Sequence, residues 1–241
     1  MSGLTLFPSN RVYAIAVVAL LSASAATLTD LIHRWRRAQS TSFLPMYTTT
    51  IGCVVVLALI LLGVPTLKWP SWSAFALALA GGLAACWVAL RSESFITRAL
   101  LRGYHIGATW RPPVGSELFQ LDPRGTPTNS RTSLLVWLLL IGAGEEMLFR
   151  GVLIDLARLA PGGSAMHGVL ITASIVAFAL SHSQLGLGEA LKKMPLSVAC
   201  VVAYMLSGTL LAPIIAHVGY NTWRWRAHPD RLSRQSVGSE Q

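Results

Sequence analysis

Gly144-Glu145-Glu146-Met147-Leu148-Phe149-Arg150-Gly151 stands at the end of an apolar run that begins near Ser133. Two carboxylates and a guanidinium therefore lie where the surrounding residues call for lipid. A charge inside a membrane span costs about 2.5–3.5 kcal/mol on insertion scales, so it normally has a partner and a purpose. Glu146 and Arg150 are four residues apart with the acid first, the favourable order for an ion pair on one helix face. Glu145 is turned away from Glu146 by ~100° on a 3.6-residue helix. One carboxylate can thus be neutralised by Arg150 while the other points elsewhere. This spacing suggests that Glu146 and Arg150 build a site and that Glu145 does the chemistry there.

Composition agrees with a membrane setting. Of the 241 residues, 53% are hydrophobic and only 12% are charged, against ~25% charged in a soluble domain. The apolar runs are long enough for helices, which excludes a barrel and predicts an all-α, polytopic transmembrane bundle. The formal charge of +9 reads as basic residues in cytoplasmic loops rather than as a nucleic-acid surface, so no nucleic-acid partner is expected. Cys53, Cys86 and Cys200 all fall inside apolar runs. They read as buried free thiols without metal spacing or a disulfide framework.

Seven apolar segments are expected. The first covers about 12–28, and small residues at 22–26 imitate a signal cleavage site. The basic run 33–37 that follows prefers the inside, which favours a retained helix with the N-terminus outside. The second covers about 47–64 and the third about 74–90, with Trp69 and Trp72 at interface positions between them. Residues 91–131 hold six arginines and three acids. Their first part reads as an interfacial amphipathic helix to about 106 and the rest as a proline-rich loop. The fourth segment runs from Ser133 to about 159, the fifth from about 166 to 183. A loop with Lys192 and Lys193 follows, and Pro195 is placed in the first turn of a sixth helix ending near Ser207. A tight turn leads to the seventh, about 213–225, and to a basic tail, 226–241. Alternating the segments puts the basic stretches 34–37, 91–131, 192–193 and the tail on the cytoplasmic side. No internal repeat of the kind found in transporters is visible.

This reads as one membrane domain with three parts: N-terminal transmembrane helices with a basic loop over 1–132, a core of four helices over 133–225, and the tail over 226–241. Two further polar pairs lie in the core. Phe178 and His182 are four apart near the end of the fifth segment, and His217 and Asn221 are four apart in the seventh. Each pair shares one helix face. With Glu145 they supply a carboxylate, two imidazoles and an amide from three helices. That set suits hydrolysis, which needs a general base, a group to orient water, and donors to a developing oxyanion. No Ser-His-Asp set is evident and no cysteine has a polar setting suited to a nucleophile. The residues leave other readings open. Intramembrane His and Asn often serve as interhelical hydrogen-bonding groups, Glu146–Arg150 can be purely structural, and His182, His217 and Glu145 are legitimate zinc ligand types. A relay in a transporter or channel is a further reading of buried charges.

The three patterns resemble those of the CPBP family of intramembrane proteases, also called the CAAX protease and bacteriocin-processing or Abi family. The family pattern is E-E-x-x-x-R, F-x-x-x-H and H-x-x-x-[N/D]. Here it stands as Glu145-Glu146 with Arg150, Phe178 with His182, and His217 with Asn221, in that order on successive apolar segments. The resemblance covers about 133–225. It implies that Glu145 and His182 activate water, that His217 and Asn221 stabilise the oxyanion, and that Glu146, Arg150 and Phe178 support them. It favours a metal-free mechanism, with a divalent ion such as zinc, held by His182, His217 and Glu145, as the alternative. The implied activity is hydrolysis of a peptide bond in a membrane-associated protein or peptide, lipid-modified or carrying a C-terminal tail, by glutamate-activated water. The competing reading is a non-catalytic membrane adaptor or immunity protein of the same fold. The implied partners are a membrane-protein or peptide substrate and the lipid bilayer, and the expected location is a bacterial inner membrane with a cytoplasmic C-terminus.

Overall fold

The computed structural model describes residues 20–21, 24–25, 28–29, 43–62, 71–104, 131–154, 157, 163–183 and 187–227. Most of the first apolar segment, the loop 105–130 and the tail beyond 227 lie outside the described residues. Among the described residues all regular structure is helical. The helices are α1 (Phe43–Leu62), α2 (Trp72–Tyr104), α3 (Arg131–Glu146), α4 (Gly163–Leu180), α5 (Leu187–Ser207) and α6 (Leu211–Ala227). Directly after Glu146 the chain widens into a π turn over Met147–Val152.

The helices pack as a bundle. α2 lies along both α5 and α6, α3 packs on α6, α4 packs on α5, and α1 rests against α3 and the π turn. Side chains at the crossings are small or aromatic: Ala78, Ala85 and Ala89 of α2, Cys200 and Ala203 of α5, Ala212, Ala216 and Tyr220 of α6, with Phe149 and Phe178 near the centre. Small residues at crossings are what lipid-embedded helices require, because close backbone approach rather than water exclusion holds them together. The outward faces carry Leu83, Trp87, Val169, Val202 and Leu206 exposed, a surface suited to hydrocarbon. Gly82 shows how tight the α2–α6 crossing is. A Cβ built there would lie 2.6 Å from the Ala212 carbonyl oxygen and 2.8 Å from Ile215 Cβ.

Several sequence expectations are corrected. Three helical stretches, Trp72–Leu100, Gly163–Leu180 and Leu187–Ser207, are long and apolar enough to cross a membrane, with Pro45–Ala58 as a shorter apolar helix. The described helices neither confirm nor exclude seven spans, since most of the first apolar segment lies outside them. α3 has only a short apolar stretch before its carboxylates, and α6 is interrupted by His217, Asn221 and Arg224. Residues 91–104 are not a separate interfacial helix. They continue α2 without a break for 33 residues in all, because nothing between Leu90 and Tyr104 stops a helix. Lys192 and Lys193 are not in a loop either: α5 starts at Leu187 and carries Pro195 in its interior. Packing against α2 and α6 holds the helix through the proline, as buried helices in membranes permit. Gly208 then closes α5 in a left-handed conformation, φ +66, donating its N–H to the Tyr204 carbonyl at 2.9 Å. Cys200 is buried as expected, but Cys53 is exposed and Cys86 half-buried, since an apolar run in lipid has an outward face.

Gly82→Val should destabilise the bundle by about 1–3 kcal/mol through overpacking. A lowered thermal unfolding midpoint of the purified protein in detergent is the expected result.

Candidate active site

The Glu-Glu stretch sits where α3 gives way to the π turn. π turns of this kind frequently mark functional positions in helices. Glu145, Glu146, Arg150 and His217 are each at most 1% exposed, so every charge among them depends on a protein partner. Arg150 Nη1 donates to Glu146 Oε1 at 3.0 Å. Its Nη2 reaches α5, donating to the Ser197 carbonyl at 3.0 Å and to Ser197 Oγ at 2.9 Å. Its guanidinium also lies 4.4 Å from the centroid of Phe178, a favourable contact for a desolvated cation. Phe178 stands edge-on to Phe149 and His217, with centroids 5.3 and 5.5 Å apart. Its place in the pattern is thus a packing one, joining Arg150 to both histidines.

His217 connects the two glutamates. Its Nδ1 donates to Glu146 Oε1 at 2.7 Å, while Nε2 stands 3.5 Å from Glu145 Oε2. The approach of α6 to α3 depends on Gly142, where an added Cβ would lie 3.1 Å from Asn221 Nδ2 and 3.5 Å from the His217 ring. Asn221 Nδ2 donates to the Leu138 carbonyl at 3.1 Å. An amide nitrogen has two hydrogens, so one remains for another acceptor.

His182 does not lie within a helix. α4 ends at Leu180, and His182 occupies the turn that follows. Its ring packs 5.1 Å from that of Phe178, and its Nδ1 is 3.0 Å from the Phe178 carbonyl oxygen. A nitrogen facing a carbonyl carries the proton. The neutral ring therefore keeps Nε2 as its basic nitrogen. Ser181 Oγ is 3.2 Å from the same Nδ1.

Glu145 differs from its neighbour in its partners. Oε1 accepts from the Tyr47 hydroxyl of α1 at 2.7 Å, and buried Oε2 has no hydrogen-bond partner among the described residues. The ~100° rotation between the two glutamates is thus realised, one turned to Arg150 and α6, the other to α1. Sequence spacing identified Glu145, Glu146, Arg150 and His217 as a group. It missed Tyr47, Ser197 and Gly142, which come from separate helices or carry no reactive group. The glycines in Ile141-Gly142-Ala143-Gly144 were the available signal, since small residues mark close helix approach.

A second polar cluster joins α2, α5 and α6. Arg224 pairs with Glu93 at 2.6 Å and lies 3.6 Å from Glu189. Lys192 pairs with Glu189 at 2.7 Å, and buried Lys193 lies 4.3 Å from the centroid of Tyr220. These contacts explain why the two lysines belong to a helix.

Among the described residues no three His, Cys, Asp or Glu side chains are grouped closely enough to hold a metal ion. In both histidines Nδ1 is committed, in His217 to Glu146 and in His182 to a backbone carbonyl, which leaves Nε2 as the nitrogen each ring turns to other groups.

Residues 127–223 match the family model described as Type II CAAX prenyl endopeptidase Rce1-like. The matched segment contains all three motifs and is consistent with the CPBP family. It supports a protease. No curated protein and no solved structure matches the chain.

Removing Glu146 would strand Arg150 in a low-dielectric site, which typically costs 3–5 kcal/mol. Glu146→Ala should therefore unfold at a markedly lower temperature in detergent than the wild type. An unchanged midpoint would show that the pair carries no such weight.

Proposed function

We propose that this protein is an intramembrane endopeptidase that hydrolyses a peptide bond of a membrane-associated protein or peptide by glutamate-activated water. The observation that carries this reading is the state of Glu145: a fully buried carboxylate with one oxygen held by a phenol and the other without a hydrogen-bond partner among the described residues. The Rce1-like match over the same residues supports it.

In this reading Glu145 Oε2 takes a proton from a water molecule oriented with the help of His182 Nε2. The resulting hydroxide adds to the scissile carbonyl carbon, and the carbonyl oxygen becomes an oxyanion. His217, as an imidazolium that donates from Nδ1 to Glu146 and from Nε2 to the oxyanion, and the second hydrogen of the Asn221 amide stabilise that charge. Protonated Glu145 then returns its proton to the departing amine as the C–N bond breaks. Glu146 and Arg150 hold His217 in place, and Phe178 packs the two rings and the guanidinium together. No step uses a metal ion.

The finer topology belongs to the same reading: seven spans in a bacterial inner membrane, the N-terminus outside and the C-terminus cytoplasmic. With Lys192 and Lys193 on α5, that orientation rests on the basic stretches 34–37, 91–131 and the tail.

The test compares peptide termini, by mass spectrometry, in membranes from cells carrying the wild type or Glu145→Gln. Termini present only with the wild type are expected, since loss of a general base typically lowers turnover by about 10²–10⁴-fold. Cleavage that persists in Glu145→Gln and in His182→Ala would reject these roles. Identical termini, with equal protein levels and a partner that co-purifies, would favour the adaptor reading. Incubating the purified enzyme with a strong chelator should leave its rate unchanged, and loss of activity restored by zinc would overturn the metal-free mechanism.

A further inference from the structure

One partner of the central carboxylate comes from outside the segment that matches the protease family. Tyr47 lies on α1, 80 residues before residue 127, where the match begins. Its side chain is buried, 7% exposed, and its hydroxyl donates to Glu145 Oε1 at 2.7 Å. The contact is built into the packing of the two helices. Tyr47 and Ile51 are one turn apart on the same face of α1, and Ile51 Cγ2 would lie 2.8 Å from a Cβ at Gly144. α1 thus rests directly on the backbone of α3 one residue before Glu145.

The consequence is an asymmetric carboxylate. Oε1 is tied to the phenol. Among the described residues Oε2 makes no hydrogen bond, and His217 Nε2 approaches it only to 3.5 Å. The Ser181 hydroxyl also lies near the Tyr47 phenol, and Ser181 Oγ is 3.2 Å from His182 Nδ1. Tyr47 therefore binds the carboxylate and stands beside the turn that presents His182.

We infer that Tyr47 is a positioning residue: its hydroxyl fixes the Glu145 carboxylate so that Oε2 alone is presented to the reacting water, and helix α1 is thereby part of the active site. The inference rests on the reading of Glu145 as general base. Its physical content is orientation. A free carboxylate rotates about its last side-chain bond and offers either oxygen, whereas one anchored at 2.7 Å holds a single lone-pair direction. Misplacing a reacting group by about 1 Å can cost on the order of a hundredfold in rate.

Tyr47→Phe removes the hydroxyl and keeps the ring, so packing against α3 is preserved. The first measurement is infrared difference spectroscopy of the purified protein in detergent, with the Glu145 carboxylate band identified as the one lost in Glu145→Gln. That band should be displaced in Tyr47→Phe. Gly144→Ala, which keeps the hydroxyl but presses α1 away through Ile51, should displace it too. A band unmoved in both variants overturns the inference. The second measurement uses the substrate found from the termini comparison. Tyr47→Phe should lower kcat roughly ten- to hundredfold with KM within about twofold, and alter the pH–rate profile, as expected when only transition-state placement is lost. An unchanged kcat with a superimposable pH–rate profile overturns the inference. A wild type that cleaves nothing overturns the proposed function instead, and the infrared result still decides whether Tyr47 holds Glu145.

Discussion

The buried Arg150 guanidinium is the constraint around which the bundle is arranged. An ion of this size taken out of water carries a desolvation penalty of several kcal/mol even after relaxation. It is offset only if the donors find acceptors in good geometry. Glu146 supplies charge, Ser197 supplies a carbonyl and a hydroxyl, and the Phe178 ring supplies its electron-rich face. These partners lie at the end of α3, on α5 and on α4. The same carboxylate oxygen that meets Arg150 accepts from His217 of α6. One cation thus fixes the relative positions of four chain segments, and with them the side chains from which a reaction can be built.

That arrangement separates the two adjacent glutamates by environment. Glu146 is consumed in holding charge and geometry. Glu145, on the neighbouring face, receives a single neutral hydrogen bond and keeps one oxygen unbonded. Placement on a helix makes the division possible, because consecutive residues point about 100° apart. The π turn that begins at Met147 directs Arg150 back toward Glu146 and Ser197 while the chain continues toward α4.

Close backbone approach does the rest of the positioning. Gly142 admits Asn221 and His217, Gly144 admits Ile51 and with it Tyr47, and Gly82 lets α2 lie against the start of α6. In lipid the hydrophobic effect gives helices little reason to associate, so van der Waals contact at such positions and a few buried polar bonds provide cohesion. The two features meet at the site, where glycines on α3 bring in the helices that complete it.

Local spacing was enough to read the apolar helical character of the chain, the Glu146–Arg150 pair, the turning of Glu145 away from Glu146 by ~100°, and the pair His217–Asn221. Each depends on the periodicity of one helix, which a sequence carries directly. The tertiary structure alone decided that His182 stands in the turn beyond α4, that α2 runs unbroken to Tyr104, and that α5 begins at Leu187 with Pro195 inside it. It also decided that Tyr47 and Ser197 are the partners of Glu145 and Arg150. The physical reason is common to these cases. A helix boundary near polar residues, or the partner of a buried charge, is set by the residues packed against it from distant parts of the chain, and periodicity along one segment contains no term for them.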